Sequence, residues 1–82
     1  MADAGPLAGM IAALAQGLVD HPERVEVTEE GDAGGRVISL VVAEEDLGQV
    51  IGRGGRVARA LRTILRAAST ARGERATLEI VD

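Results

Sequence analysis

Three glycines fall within four positions at Gly52-Arg53-Gly54-Gly55, and they stand between two stretches of helical pattern. The segment reads Val50-Ile51-Gly52-Arg53-Gly54-Gly55-Arg56-Val57, so two apolar residues run into the glycines and an arginine-studded run leaves them. A helix breaks at Gly52, and a second begins near Arg56. A loop with almost no side-chain bulk at the start of a helix lets backbone N–H groups approach a phosphate closely. Arg53 and Arg56 place positive charge at the same point.

The rest of the chain arranges itself around this break. The first residues, through Gly5, are expected to fray. Pro6 suits the first turn of a helix, and Leu7, Ile11, Leu14 and Leu18 recur at spacings of four, three and four, which predicts an amphipathic helix ending near Asp20, before Pro22. Val25 and Val27 alternate with Glu26 and Thr28, which predicts a half-buried strand. Glu29 to Gly35 reads as a turn, and Val37 to Val42, the most β-branched and apolar run, as a central strand. Glu44, Glu45 and Asp46 put acids in the first turn of a short helix, a better role for them than a catalytic cluster. The long helix runs from Arg56 to Ala71, Gly73 ends it, and Ala76, Leu78 and Ile80 mark a last strand. The order is helix, strand, strand, helix, helix, strand.

Eighty-two residues make one domain with a modest core. The apolar fraction of 46% is too high for disorder, no stretch is long enough to span a membrane, and the acidic Asp3 near the start does not fit a signal peptide, so a cytoplasmic protein is expected. There is no cysteine, and the one histidine, His21, sits in Asp-His-Pro at a helix end, where capping or solvent exposure suits it better than metal ligation. No metal site and no cofactor is expected. No Phe, Tyr or Trp occurs, which excludes the routes to RNA that stack bases on aromatic rings.

The net charge of −4 argues at first against a nucleic-acid partner, but its distribution reverses that. Residues 1–51 carry ten acids and two arginines, a sum of −8, whereas residues 52–82 carry seven arginines and three acids, a sum of +4. All nine basic residues are arginine, which donates two hydrogen bonds to one phosphate, although an arginine-only set equally fits a GC-rich genome. On a helical wheel measured from Arg56, residues Arg59, Arg62 and Arg66 fall at about 300°, 240° and 280°, and Val57, Leu61, Ile64, Leu65 and Ala68 between about 80° and 180°. A solvated face ordinarily interleaves Glu with Arg, and this one has no acid, which favours a phosphate-facing role. The aliphatic face is wider than a core stripe requires. Its strip Ala60-Ile64-Ala67 fits either a subunit interface or packing on the first helix.

With these features in place, the chain resembles a KH domain of the type II topology, and more closely the KhpA family of small, single-KH bacterial RNA-binding proteins. The resemblance covers about Leu7 to Asp82. It rests on Leu18-Val19-Asp20-His21-Pro22-Glu23, on Asp46-Leu47-Gly48-Gln49-Val50-Ile51-Gly52-Arg53-Gly54-Gly55-Arg56, and on Ala60-Leu61-Arg62-Thr63-Ile64-Leu65. It implies an α+β fold of order α-β-β-α-α-β, with a three-stranded mixed sheet packed on three helices. The strand near Val37–Val42 should be central, parallel to the last strand and antiparallel to the first. It implies a G-x-x-G loop that grips a single-stranded RNA backbone, a groove between the loop's two helices and the last strand, and an RNA chaperone or regulatory role. It also implies pairing, as a homodimer or with a larger KH-containing RNA-binding protein. The sequence departs from the family at Gly54, where such loops usually carry a long polar or basic residue, so the loop offers one basic side chain, Arg53.

The residues expected to meet RNA are Ile51, Gly52, Arg53, Gly54, Gly55, Arg56, Val57 and Arg59. The glycines admit the backbone, and N–H groups near Gly55 and Arg56 point at a phosphate. Arg53, Arg56 and Arg59 pair with phosphates, while Ile51, Val57 and Leu61 form an apolar floor for bases. Two other classes compete. A nucleotide-binding enzyme would need its glycines after a strand, with an acid about twenty residues on. Here a helical pattern precedes them, Arg72 holds the later position, and no nucleophile–base pair is visible, so the chain is not read as an enzyme. A protein–protein adaptor with vestigial RNA binding is the other alternative, supported by the net negative charge.

Overall fold

A computed structural model describes residues 5–32 and 34–81, without the side chain of Arg53. Helix α1 spans Pro6–Gln16, strand β1 Glu26–Asp32, β2 Gly35–Val41, α2 Glu44–Ile51, α3 Arg56–Ala71 and β3 Ala76–Ile80. Short 3-10 turns occupy Pro22–Arg24 and Arg53–Gly55. The order α-β-β-α-α-β is the one expected. The sheet order is β1-β2-β3, with β1 antiparallel to the central β2 and β3 parallel to it.

Alternation along the strands decides which face is buried. Ile38 and Leu40 of β2 and Leu78 of β3 point inward and are fully or nearly fully buried, while Val37 and Val41 face outward and are exposed. Leu7, Ile11 and Ala15 of α1 and Leu61 and Leu65 of α3 close over the inner face, joined by Val50 of α2. Helices α1 and α3 lie on the sheet, whereas α2 packs chiefly against α3. No helix among the described residues is long and apolar enough to cross a membrane.

Three expectations need correction. Of the start expected to fray, residues 1–4 lie outside the described residues. Gly5, however, is the N-cap of α1, its carbonyl accepting the Gly9 N–H at 2.9 Å. Helix α1 ends at Gln16 rather than near Asp20. The ladder closes at Gly17 and Leu18, whose N–H groups bond back to Ala13, Leu14 and Ala15, and beyond it the Asp20 and His21 N–H groups donate to the carboxylate of Asp46. Leu18, in phase with the apolar stripe, is left 44% exposed. The turn expected over Glu29–Gly35 shrinks to a tight hairpin, with Asp32 paired to Gly35. Strand β1 continues through Glu29 because its side chain turns inward and accepts a hydrogen bond from Arg36 at 2.6 Å, and Asp32 Oδ1 accepts the Gly34 N–H at 2.9 Å to close the hairpin.

Candidate nucleic-acid interface

The glycine loop is built by two helix ends meeting. Helix α2 stops at Gly52, whose N–H donates to the Gly48 carbonyl at 2.7 Å. A Cβ on Gly52 would overlap that carbonyl oxygen, so only glycine closes the helix this tightly. Gly54 and Gly55 follow, both with φ of 72°, in the left-handed region that L side chains seldom adopt. A Cβ on either would meet nothing within 4 Å. The glycines at 54 and 55 are thus set by backbone conformation, not by crowding, and the space beside them is open to a ligand.

The Gly55 N–H is not available to a phosphate as expected, because it donates to the Gly52 carbonyl at 2.9 Å and closes the turn. The donors left are those of the first turn of α3, from Arg56 to Ala58, which have no carbonyl within their own helix to bond. They stand at the positive end of a 16-residue helix.

The expected site residues come together around this point. Ile51, at the end of α2, is 44% exposed, and Val57, in the first turn of α3, is half-buried, so both offer apolar surface beside the loop. Leu61 does not: it is 1% exposed and belongs to the core. Arg56 is exposed. Arg59 is exposed too, but its guanidinium turns back to donate to the Gly54 carbonyl, so in this state it braces the loop. The guanidinium of Arg53 lies outside the described residues.

The arginine side of α3 carries no acid of its own. Among the described residues the ion pairs are His21–Asp46, Arg36–Glu29 and Arg72–Glu74, none of them involving Arg56, Arg59, Arg62 or Arg66. Arg62 and Arg66 flank a shallow hollow of about 130 Å³ against Ala76, Thr77 and Leu78 of β3. The helix therefore presents a run of positive charge from the loop toward the start of the last strand.

One residue escaped the sequence reading. Asp46 is not one of three equivalent helix-start acids. Glu44 and Glu45 are exposed, while Asp46 is 1% exposed. Its carboxylate accepts the N–H groups of Asp20 at 3.3 Å and His21 at 3.0 Å and contacts His21 Nδ1 at 3.1 Å. Burial pushes its carboxyl upward, but the His21 ring, the two N–H groups and the nearby positive charge outweigh that and hold it below the usual carboxylate range. A signal was present: Asp46 lies four residues before Val50, on the apolar side of α2. His21, expected to cap or face solvent, keeps part of its ring in solvent and gives Nδ1 to this pair.

The sequence is similar to those of known proteins. A family profile described as KhpA/KhpB, KH domain, matches residues 8–80. The RNA-binding protein KhpA of Treponema pallidum is 49% identical over 73 residues, covering 89% of this chain and 91% of that protein. The RNA-binding protein KhpA of Leifsonia xyli is 43% identical over 76 residues, covering 93% of this chain and 97% of that one. The protein of the same name from Halalkalibacterium halodurans is 42% identical over 73 residues, covering 89% and 96%. The glycine loop between two helices, the strand order and these matches over nearly the whole chain lead to one assignment: the chain belongs to the KhpA/KhpB KH-domain family.

Proposed function

We propose that this chain is a non-enzymatic, cytoplasmic KH unit over residues 1–82 that binds single-stranded RNA by its phosphate backbone, as an RNA chaperone or post-transcriptional regulator. The observation that carries the reading is the open backbone at Gly54–Gly55 at the positive end of α3, beside Arg56 and Arg59, which have no acidic partner among the described residues. Gly52, Gly54 and Gly55 admit the strand, and Arg56 and the first-turn N–H groups of α3 meet a phosphate. Arg53 and Arg59 serve neighbouring phosphates, Arg59 exchanging its hold on Gly54 for one of them. Ile51 and Val57 support bases without aromatic stacking. Phosphate contacts carry no base information, so sequence preference is weak. The relatives' printed names, RNA-binding protein KhpA, support the same reading.

The test is Arg53→Asp combined with Gly54→Asp, which sets two carboxylates in the phosphate path and leaves the core intact. The double variant is expected to fold and to lose single-stranded RNA binding. A folded double variant that binds as wild type does would reject the clamp.

A second reading concerns partners. Ile64 is 40% exposed, and Ala60 and Ala67 beside it are exposed as well. The strip therefore does not pack on α1 of the same chain, and an aliphatic strip of small residues on a helix suits close approach of another helix. We read it as the face that pairs with a second copy or with a larger KH-containing protein. Avidity from pairing would raise the modest affinity of a single loop. Sedimentation of Ile64→Glu decides: the variant is expected to halve in mass relative to a dimeric wild type, and a folded variant of unchanged mass would remove the interface.

A further inference from the structure

Helix α2 is the arm that carries the glycine loop, because Ile51 leads directly into Gly52. Its apolar hold is Val50, which is buried, and Leu47, which packs half-buried against the core. Of its eight residues only Asp46 and Val50 are buried, and it rests chiefly on α3. The remainder of its hold is polar and comes from the segment joining α1 to β1. Asp46 takes the Asp20 and His21 N–H groups and the His21 ring, and Gln49 Nε2 donates to the Leu18 carbonyl at 3.1 Å. Residues 46 and 49 are three apart, so they share one side of the helix. That side is tied to residues 18–21 at both places.

We propose that Asp46 and His21 are positioning residues for the glycine loop: their contact fixes α2 against residues 18–21, and it couples RNA binding at Gly52–Gly55 to protonation of the His21 ring. The proposal rests on the reading of the loop as an RNA clamp. A neutral ring with its proton on Nδ1 gives Asp46 one hydrogen bond. A protonated ring keeps that bond, carries a proton on Nδ1 in every case, and adds the attraction of an imidazolium for the carboxylate. The ring is partly open to solvent, with 40% of its side chain exposed, so the proton exchanges without unfolding.

The charged groups acting on the ring are all acids: Asp46 and Glu45 from α2, and Glu23 from the 3-10 turn. The hydrogen bond to Asp46 raises the ring's pKa most, partial burial opposes it, and the charges of Asp46, Glu45 and Glu23 add to the rise. The switch therefore operates on the upper side of the ordinary histidine value, with the tighter latch at lower pH.

The test follows the amide resonances of Gly52, Gly54 and Gly55 in RNA-free, isotope-labelled protein while the His21 ring is titrated. They are expected to move with the ring's own midpoint and to lose that inflection in His21→Gln. In parallel, wild-type affinity for an oligouridylate at constant ionic strength is expected to fall about fivefold as His21 deprotonates, the low end of coupling between separate sites. His21→Gln is expected to bind weakly at every pH, and Asp46→Asn to behave the same way. His21→Gln changes a partly exposed side chain and keeps the test open if Asp46→Asn fails to fold. Loop resonances that ignore the His21 titration, or a folded His21→Gln protein with wild-type affinity and pH response, overturn the proposal. Wild-type binding by Arg53→Asp with Gly54→Asp rejects the clamp instead, and the RNA-free resonances still report on the latch.

Discussion

Glycine stands at positions 52, 54 and 55 for two separate reasons, and substitution should tell them apart. Gly52 is crowded by the Gly48 carbonyl, whereas Gly54 and Gly55 are uncrowded and held at positive φ. Gly52→Ala forces the end of α2 to move and should destabilise by about 1–3 kcal/mol, as overfilled sites do. Gly54→Ala meets only the left-handed penalty of about 1 kcal/mol. Thermal unfolding of the two variants checks this, and the larger fall in Tm is expected for Gly52→Ala. The three glycines were legible in the sequence because each acts through its own backbone. Asp46 was legible only in its place on the apolar side of α2, because its partners at 20 and 21 lie more than twenty residues away. Arg59 was legible as a cation beside the loop, but its bond to the Gly54 carbonyl depends on a turn whose shape only the folded chain defines.

Among the elements, α3 shows where periodicity stops deciding. Its pattern predicted a wide aliphatic face, and the buried stripe keeps only Leu61 and Leu65 of it, joined by Ala58 and Ser69 from beside that face. Ser69 enters that stripe because its hydroxyl donates to the Arg66 carbonyl at 3.1 Å, which removes the cost of burying it bare. Ile64, one position from Leu65, is left outside. Leu65→Ala should cost about 2–5 kcal/mol, the range for emptying a core leucine. Ile64→Ala in the monomer should stay within about 0.5 kcal/mol, as surface changes do. Urea unfolding of both variants at low protein concentration measures the contrast. The link between α1 and β1 carries a pH signature. The His21 pKa is raised in the folded protein, so its stabilisation is full below the ordinary histidine value of 6.5 and is lost as pH rises through the folded value. The Asp46 pKa is lowered, so its stabilisation is present above the ordinary carboxylate value and is lost as pH falls through the folded one. The Tm advantage of wild type over His21→Gln should therefore be larger near about pH 6 than near about pH 9.

Across the whole molecule, charge is sorted along the chain, and the fold preserves the sorting. The described acids of residues 1–51 lie on the link after α1, on β1 and at the start of α2, while the arginines of α3 extend from the glycine loop with no acid paired to Arg56, Arg59, Arg62 or Arg66 among the described residues. Such a molecule attracts a polyanion from one side and repels it from the other. Contact with about two to four phosphates of a single strand predicts a slope of about −1.4 to −2.8 for log K against log salt. The loop double variant should flatten it. The strand pairing came from the resemblance to a KH domain, whereas element order was legible at this scale from period-two and period-3.6 patterns with glycine breaks. The exact hairpin was not, because Glu29 is drawn into β1 by Arg36. The most direct measurement of the central claim is photo-crosslinking of a 4-thiouridine-bearing single strand, with the attached peptides mapped by mass. Crosslinks are expected in the segment from Ile51 to Arg59. Crosslinks confined to α1 or to the β1–β2 hairpin would contradict the account.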